Sequence, residues 1–199
     1  MSDWGIPISW TVSGPAICVA AGAMLALVAD LLLTRRTWWL AWLPLVAGVV
    51  LGFLELLRAV ALDRVHVSSV GFQFSAIILV ATLVALLLSA LLAEENAMPA
   101  GEFQFLIGSA AAGGLVMVTS KDFVTLLVGI ELLTLPSIAL VGLRSGDRRA
   151  ISTAWTFFLT SVVSTAIALM GFALLYGLTG SLQFTAVDHL GSLAPVFEA

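Results

Sequence analysis

The sequence predicts an all-α, polytopic membrane protein with about six transmembrane helices. Three observations predict it. Of 199 residues, 61% are hydrophobic and only 10% are charged, whereas ordinary soluble domains are about a quarter charged. The apolar residues gather into runs long enough to cross a bilayer as a helix, which takes ~20 residues. Polar and charged residues such as Arg35–Arg36 and Glu94–Glu95 punctuate those runs.

The first span is expected over about Thr11–Leu33, with Pro15 near its start and Arg35 and Arg36 ending it. No Lys or Arg precedes it, so it reads as a retained helix rather than a signal peptide, which needs a basic start. The second is expected over Trp38–Leu62, opening on Trp38, Trp39 and Trp42, aromatic residues that suit a membrane interface. The third covers Phe72–Ala93, the fourth Glu102–Ser120, the fifth Asp122–Leu143 and the sixth Ile151–Tyr176. The fourth contains GSAAAGG, Gly108 to Gly114, and small residues let helix backbones approach closely. Three units follow: residues 1–101 with helices one to three, 102–177 with helices four to six, and a tail at 178–199. The tail is too broken by Gly and Pro to span, and is expected to hold at most a short extended or amphipathic piece.

Basic residues in short loops mark the cytoplasmic side. Arg35, Arg36, Arg144, Arg148 and Arg149 fall on one side; Arg64, Lys121 and, if it lies outside helix two, Arg58 fall on the other. Both termini are therefore expected outside the cell.

Composition narrows the chemistry. The net charge of −4 is small and by itself says nothing about nucleic acid; with a single lysine and no basic patch, no nucleic-acid partner is expected. The lone Cys18 excludes an internal disulfide or a cysteine metal site. His66 and His189 read as loop histidines. With no phosphate-binding glycine loop and no redox ligand set, the chain is expected to hold no cofactor.

Glu131 stands apart. It falls near the middle of the fifth run, DFVTLLVGIELLTLPSIALVGL. A carboxylate there costs roughly 2.5–3.5 kcal/mol on insertion scales, and such residues usually have a partner, a wet cavity or a function. Thr134, three residues on, shares its helical face. Pro136 cannot donate to the carbonyl of Leu132, and a freed carbonyl near a buried acid makes a polar spot that can hold water. Glu131 is therefore either a proton-carrying or field-coupling carboxylate, or a structural carboxyl bonded to a neighbouring helix. In the sixth run Thr153, Thr156, Thr160 and Ser164 line one face, widened by Ser152, Ser161 and Thr165. Such a face either packs through hydroxyl bonds or lines a hydrated path. Asp30 reads as an edge charge beside Arg35 and Arg36. Glu55 and Arg58, three apart, read as a neutralising pair. Asp122 reads as an acid at the positive end of the fifth helix.

The stretch KDFVTLLVGIELLTLPSIALVGL, then RSGDRRA, then a helix closing on GFALLYGLTGSLQF, resembles the antiporter-like membrane subunits of the proton-pumping NADH:quinone oxidoreductase, respiratory complex I. It is most similar to their subunit N branch (subunit 2 in mitochondria), and the resemblance runs from Lys121 to Phe184. Multisubunit sodium/proton antiporters and membrane-bound hydrogenases share the glutamate helix. The resemblance implies the N-terminal part of a fourteen-helix fold whose first inverted repeat begins at the fourth helix. It implies that Glu131 takes part in proton coupling by acting on a lysine of a later helix. Flavin, iron–sulfur clusters and quinone would then belong to partner subunits of a hetero-oligomer in the bacterial plasma membrane. The family often places a lysine where this chain has Thr156, leaving that hydroxyl as a weak hydrogen-bonding substitute. The later helices with buried lysines have no counterpart here. The sequence therefore reads as an N-terminal piece, half of a split subunit, or a remnant. A sodium/proton antiporter subunit and a non-transporting assembly protein are the competing expectations.

Overall fold

The computed structural model describes residues 10–32, 42–61, 69–91, 100–143 and 148–185. They form six α-helices: α1 (Trp10–Leu32), α2 (Trp42–Ala61), α3 (Ser69–Leu91), α4 (Ala100–Thr119), α5 (Phe123–Gly142) and α6 (Arg148–Thr179). Among the described residues, five helices, all but α2, are long and apolar enough to cross a membrane. The chain is thus all-α and multi-pass. Each observed helix corresponds to one expected run. The largest difference is at α6, which has 32 residues and extends past both ends of the run read from hydropathy.

Helix α4 is the centre of the bundle, packing against α1, α2, α3 and α5, while α6 packs on α5. The buried core is Ala16, Val19, Ala23 and Ala26 of α1, Leu45, Val49 and Leu56 of α2, Leu79 and Leu86 of α3, and Ala111, Ala112 and Leu115 of α4. Small side chains dominate on α1 and α4 because there is no hydrophobic drive between helices in lipid; association rests on close packing. Large apolar side chains face outward instead, among them Met24, Leu31, Ile77, Leu87 and Ile167. The α1–α2 seam shows the spacing: a Cβ on Gly22 would meet the Pro44 carbonyl oxygen at 2.8 Å, and one on Gly48 the Cys18 carbonyl oxygen at 2.7 Å. The GSAAAGG run behaves as its composition predicts, since Gly108, Ala111, Ala112, Gly113 and Gly114 are all buried. Gln104 of the same helix is fully buried, a polar core residue that the sequence pattern does not flag.

Helix α5 has two working faces. Gly129 and Pro136 are its buried residues and, seven apart, lie on one face. That face meets α4: a Cβ on Gly129 would approach the Met117 nitrogen at 2.7 Å, and one on Gly113 the Leu133 nitrogen at 2.5 Å. Glu131 is two residues from Gly129, about 200° round the helix, and so faces away from α4.

The ends of α5 and α6 are fixed by local chemistry. Asp122 caps α5, its carboxylate accepting from the Thr125 backbone N–H at 2.7 Å and from Thr125 Oγ1 at 2.8 Å. This satisfies donors that a helix N-terminus leaves free. Gly180, at φ 67°, ends α6 in the left-handed conformation open to glycine, with its N–H donating to the Tyr176 carbonyl at 2.8 Å. The chain then runs back along the start of α5. Phe123 N–H donates to the Leu182 carbonyl at 3.0 Å and Phe184 N–H to the Lys121 carbonyl at 3.2 Å. Asp122 and Gln183 form an antiparallel bridge. The rings of Phe172 and Phe184 each sit 4.9 Å from that of Phe123. The beginning of the tail is therefore a short extended strap; residues 186–199 lie outside the described residues.

Candidate functional site: the carboxylate on the α5–α6 seam

The strap and the packing set α5 against α6 in an antiparallel register. Phe123 faces Phe172 at one end, and Gly142 lies beside Ala154 at the other. Glu131 and Thr165 meet between them, Thr165 Oγ1 donating to Glu131 Oε1 at 2.6 Å. The contact is short, in the range of hydroxyl–carboxylate bonds. Glu131 is half-buried. It lies about 12 Å along the axis from Phe123 and about 16 Å from Gly142, at 1.5 Å per residue.

The seam is apolar on either side of this bond. Toward the strap is a cavity of about 240 Å³, lined by residues including Phe123, Leu127, Leu169 and Phe172. Toward the other end is a cleft of about 580 Å³, lined by residues including Ile138, Gly142, Ala154 and Phe158. The Glu131–Thr165 pair is a polar point between two greasy spaces, where desolvation strengthens electrostatic interactions.

The residues singled out from the sequence fall in different places. Thr134 turns back into its own helix, donating to the carbonyls of Ile130 at 2.8 Å and Glu131 at 3.4 Å. Its hydroxyl is spent there rather than on the Glu131 carboxyl. Pro136 is on the α4 side, and the Leu132–Leu133 peptide, whose carbonyl it releases, lies against Gly113 of α4. Thr156 and Thr160 are exposed, each donating to the carbonyl four residues back, Ser152 at 3.0 Å and Thr156 at 2.9 Å. In this register Thr156 is nine residues from the level of Glu131, about 13 Å along α6. The hydroxyl opposite the acid is Thr165, not Thr156. The sequence placed Thr165 at the margin of the hydroxyl stripe, and the stripe's spacing alone does not say which side of an all-round apolar helix meets α5.

The remaining charges sit at edges. Glu55 and Arg58 form the expected pair at 2.8 Å, and Arg58 is in the last turn of α2. Asp30 packs against Gly101 in the first turn of α4, where the helix dipole favours an acid. Arg148 and Arg149 open α6. The other loop residues weighed above, Arg35, Arg36, Arg64, His66, Glu94, Glu95, Arg144 and His189, as well as Trp38 and Trp39, lie outside the described residues.

The described residues form a bundle of apolar helices seated on small residues, with an acid near the middle of a proline-containing helix. Residues 120–195, which carry α5, α6 and the strap, match the family described as NADH:quinone oxidoreductase/Mrp antiporter, transmembrane. The chain is 36% identical over 203 residues to "NADH-quinone oxidoreductase subunit N 2" of Streptomyces griseus subsp. griseus, covering 96% of this chain and 38% of that protein. It is 40% identical over 197 residues to subunit N of Salinispora tropica, covering 92% of this chain and 36% of the relative. Against subunit N of Bacillus anthracis the identity is 33% over 199 residues, with 95% and 39% covered. Over most of its length the chain is thus similar to subunit N of NADH:quinone oxidoreductase, one of the antiporter-like membrane subunits. It spans less than two fifths of the length of these curated relatives.

Proposed function

We propose that this chain forms part of a membrane-arm subunit of a redox-driven proton pump, in which Glu131 couples NADH:quinone electron transfer to proton movement. One observation carries the reading: a mid-helix carboxylate, bonded across helices at 2.6 Å, lies within the segment that matches the family. A group in that position can exist as a carboxylate or a carboxylic acid. Its charge changes the field felt by any cation placed against the seam, since opposite charges stabilise one another strongly where water is excluded. Lys121 is the only lysine of the sequence and lies at the start of α5. The cation on which Glu131 acts would therefore come from another part of the subunit or from a neighbour. Thr134 and Pro136 shape the α5 backbone around the acid. Thr156 and Thr160 offer hydroxyls farther along, on the open face of α6.

In this reading the chain holds no redox centre. Flavin, iron–sulfur clusters and quinone sit in partner subunits, and the assembly is a hetero-oligomer embedded in the bacterial plasma membrane. Both termini face out, with the arginine-rich loops in the cytoplasm. Residues 1–101 are a supporting three-helix unit, 102–177 open an inverted repeat, and 178–199 form an extracytoplasmic tail. Relatives named as oxidoreductase subunits favour the pump over a sodium/proton antiporter. Affinity purification of the tagged protein from its native membranes tests this. Flavin and iron–sulfur absorbance should co-purify with it; recovery with membrane subunits alone would make it an antiporter component.

A further inference from the structure

Hydroxyls in α6 have a default partner. Thr156, Thr160 and Ser164 each donate to a carbonyl four residues back, at 2.9–3.0 Å. That is the usual resting place of a Ser or Thr hydroxyl in an apolar helix, where no water competes. Thr165 is different: its hydroxyl leaves α6 and donates to Glu131 Oε1 of α5. A hydroxyl has one proton to give, so this bond is made in place of the one its neighbours make.

We propose that Thr165 is a positioning residue for Glu131, holding the carboxylate on the α5–α6 seam and tying its charge to α6. This rests on the reading of Glu131 as the coupling acid. Three features support it. The bond joins residues 34 apart in sequence, and the clefts above and below it are lined by apolar side chains apart from Tyr176 and Trp155, which lie at their far ends, about three turns along α6 from Thr165. Thr134, the hydroxyl nearest in sequence, is committed to its own backbone. The opposite face of α5 is pinned to α4 through Gly129, so the carboxylate is turned toward α6 and the hydroxyl fixes where it stops. Protonation of Glu131 would reverse the bond: the acid O–H would donate to Thr165 Oγ1, and the Thr165 proton would turn to the carbonyl of Ser161, its own position four residues back. One proton arrives and one rotates, so the exchange is balanced.

The test uses the full-length protein in its assembled membrane complex, with Thr165→Val, Thr165→Ser and Glu131→Gln. Infrared difference spectra identify the Glu131 carboxyl bands as those lost in Glu131→Gln. Thr165→Val should shift those bands, with the protonated C=O stretch moving to higher wavenumber. It should also slow proton delivery roughly tenfold, the lower range for a hydrogen bond to a charged group. Thr165→Ser should restore both. Unshifted bands in an assembled Thr165→Val complex would overturn the positioning role, as would a failure of Ser to restore what Val removes. If Glu131→Gln pumps normally while Thr165→Val still shifts the bands, the positioning stands and the coupling role of Glu131 falls.

Discussion

At the scale of the residue, Glu131 and Asp122 show how position decides what a carboxylate does. Asp122 lies at a helix end where backbone N–H groups need an acceptor, and it supplies one to Thr125. Replacing it by Ala should lower stability by about 1 kcal/mol, as for other N-cap residues, measured by unfolding in mixed detergent; an unchanged midpoint would contradict the cap. Glu131 has no such backbone duty and uses Thr165 instead. Glu131 was legible in the sequence because a charge among twenty apolar residues is costly wherever its helix packs. Thr165 was not, because α6 carries hydroxyls at 152, 153, 156, 160, 161, 164, 165, 176 and 179, and only the α5–α6 register selects one.

At the scale of the element, hydropathy located every helix, but the two faces of α5 came from packing. Gly129 has backbone of α4 against it, whereas Gly171 of α6 has nothing within 4 Å. Alanine at 129 should therefore destabilise by about 1–3 kcal/mol, the range for overpacking a tight site. Alanine at 171 should be neutral or stabilising by up to about 1 kcal/mol, because glycine is the weaker helix former. The same unfolding assay separates the two; equal effects would mean that the α4–α5 seam is looser than its geometry. The end of α6 was legible only as a Gly-rich tail. The strap from Leu182 to Phe184 depends on a pairing with Lys121–Phe123 across some sixty residues, which no local pattern announces.

At the scale of the whole molecule, the order of packing was not legible. The five candidate spans are apolar around most of their circumference, so hydropathy cannot say that α4 is central; only its run of small residues hinted at it. The outcome is a graded bundle. Helices α1 to α4 share a core, α5 joins through one face, and α6 has no buried residue and leans on α5. The candidate site lies at the last and least covered seam, where the carboxylate is open to groups beyond the described helices. In the proposed function the charge of Glu131 drives proton movement. The direct measurement is the number of protons translocated per NADH oxidised by membrane vesicles carrying Glu131→Gln in the assembled complex. Glutamine keeps the size and can still accept from Thr165, but it cannot ionise. The ratio should fall well below that of the unmodified complex while the complex remains assembled; an unchanged ratio would contradict the claim.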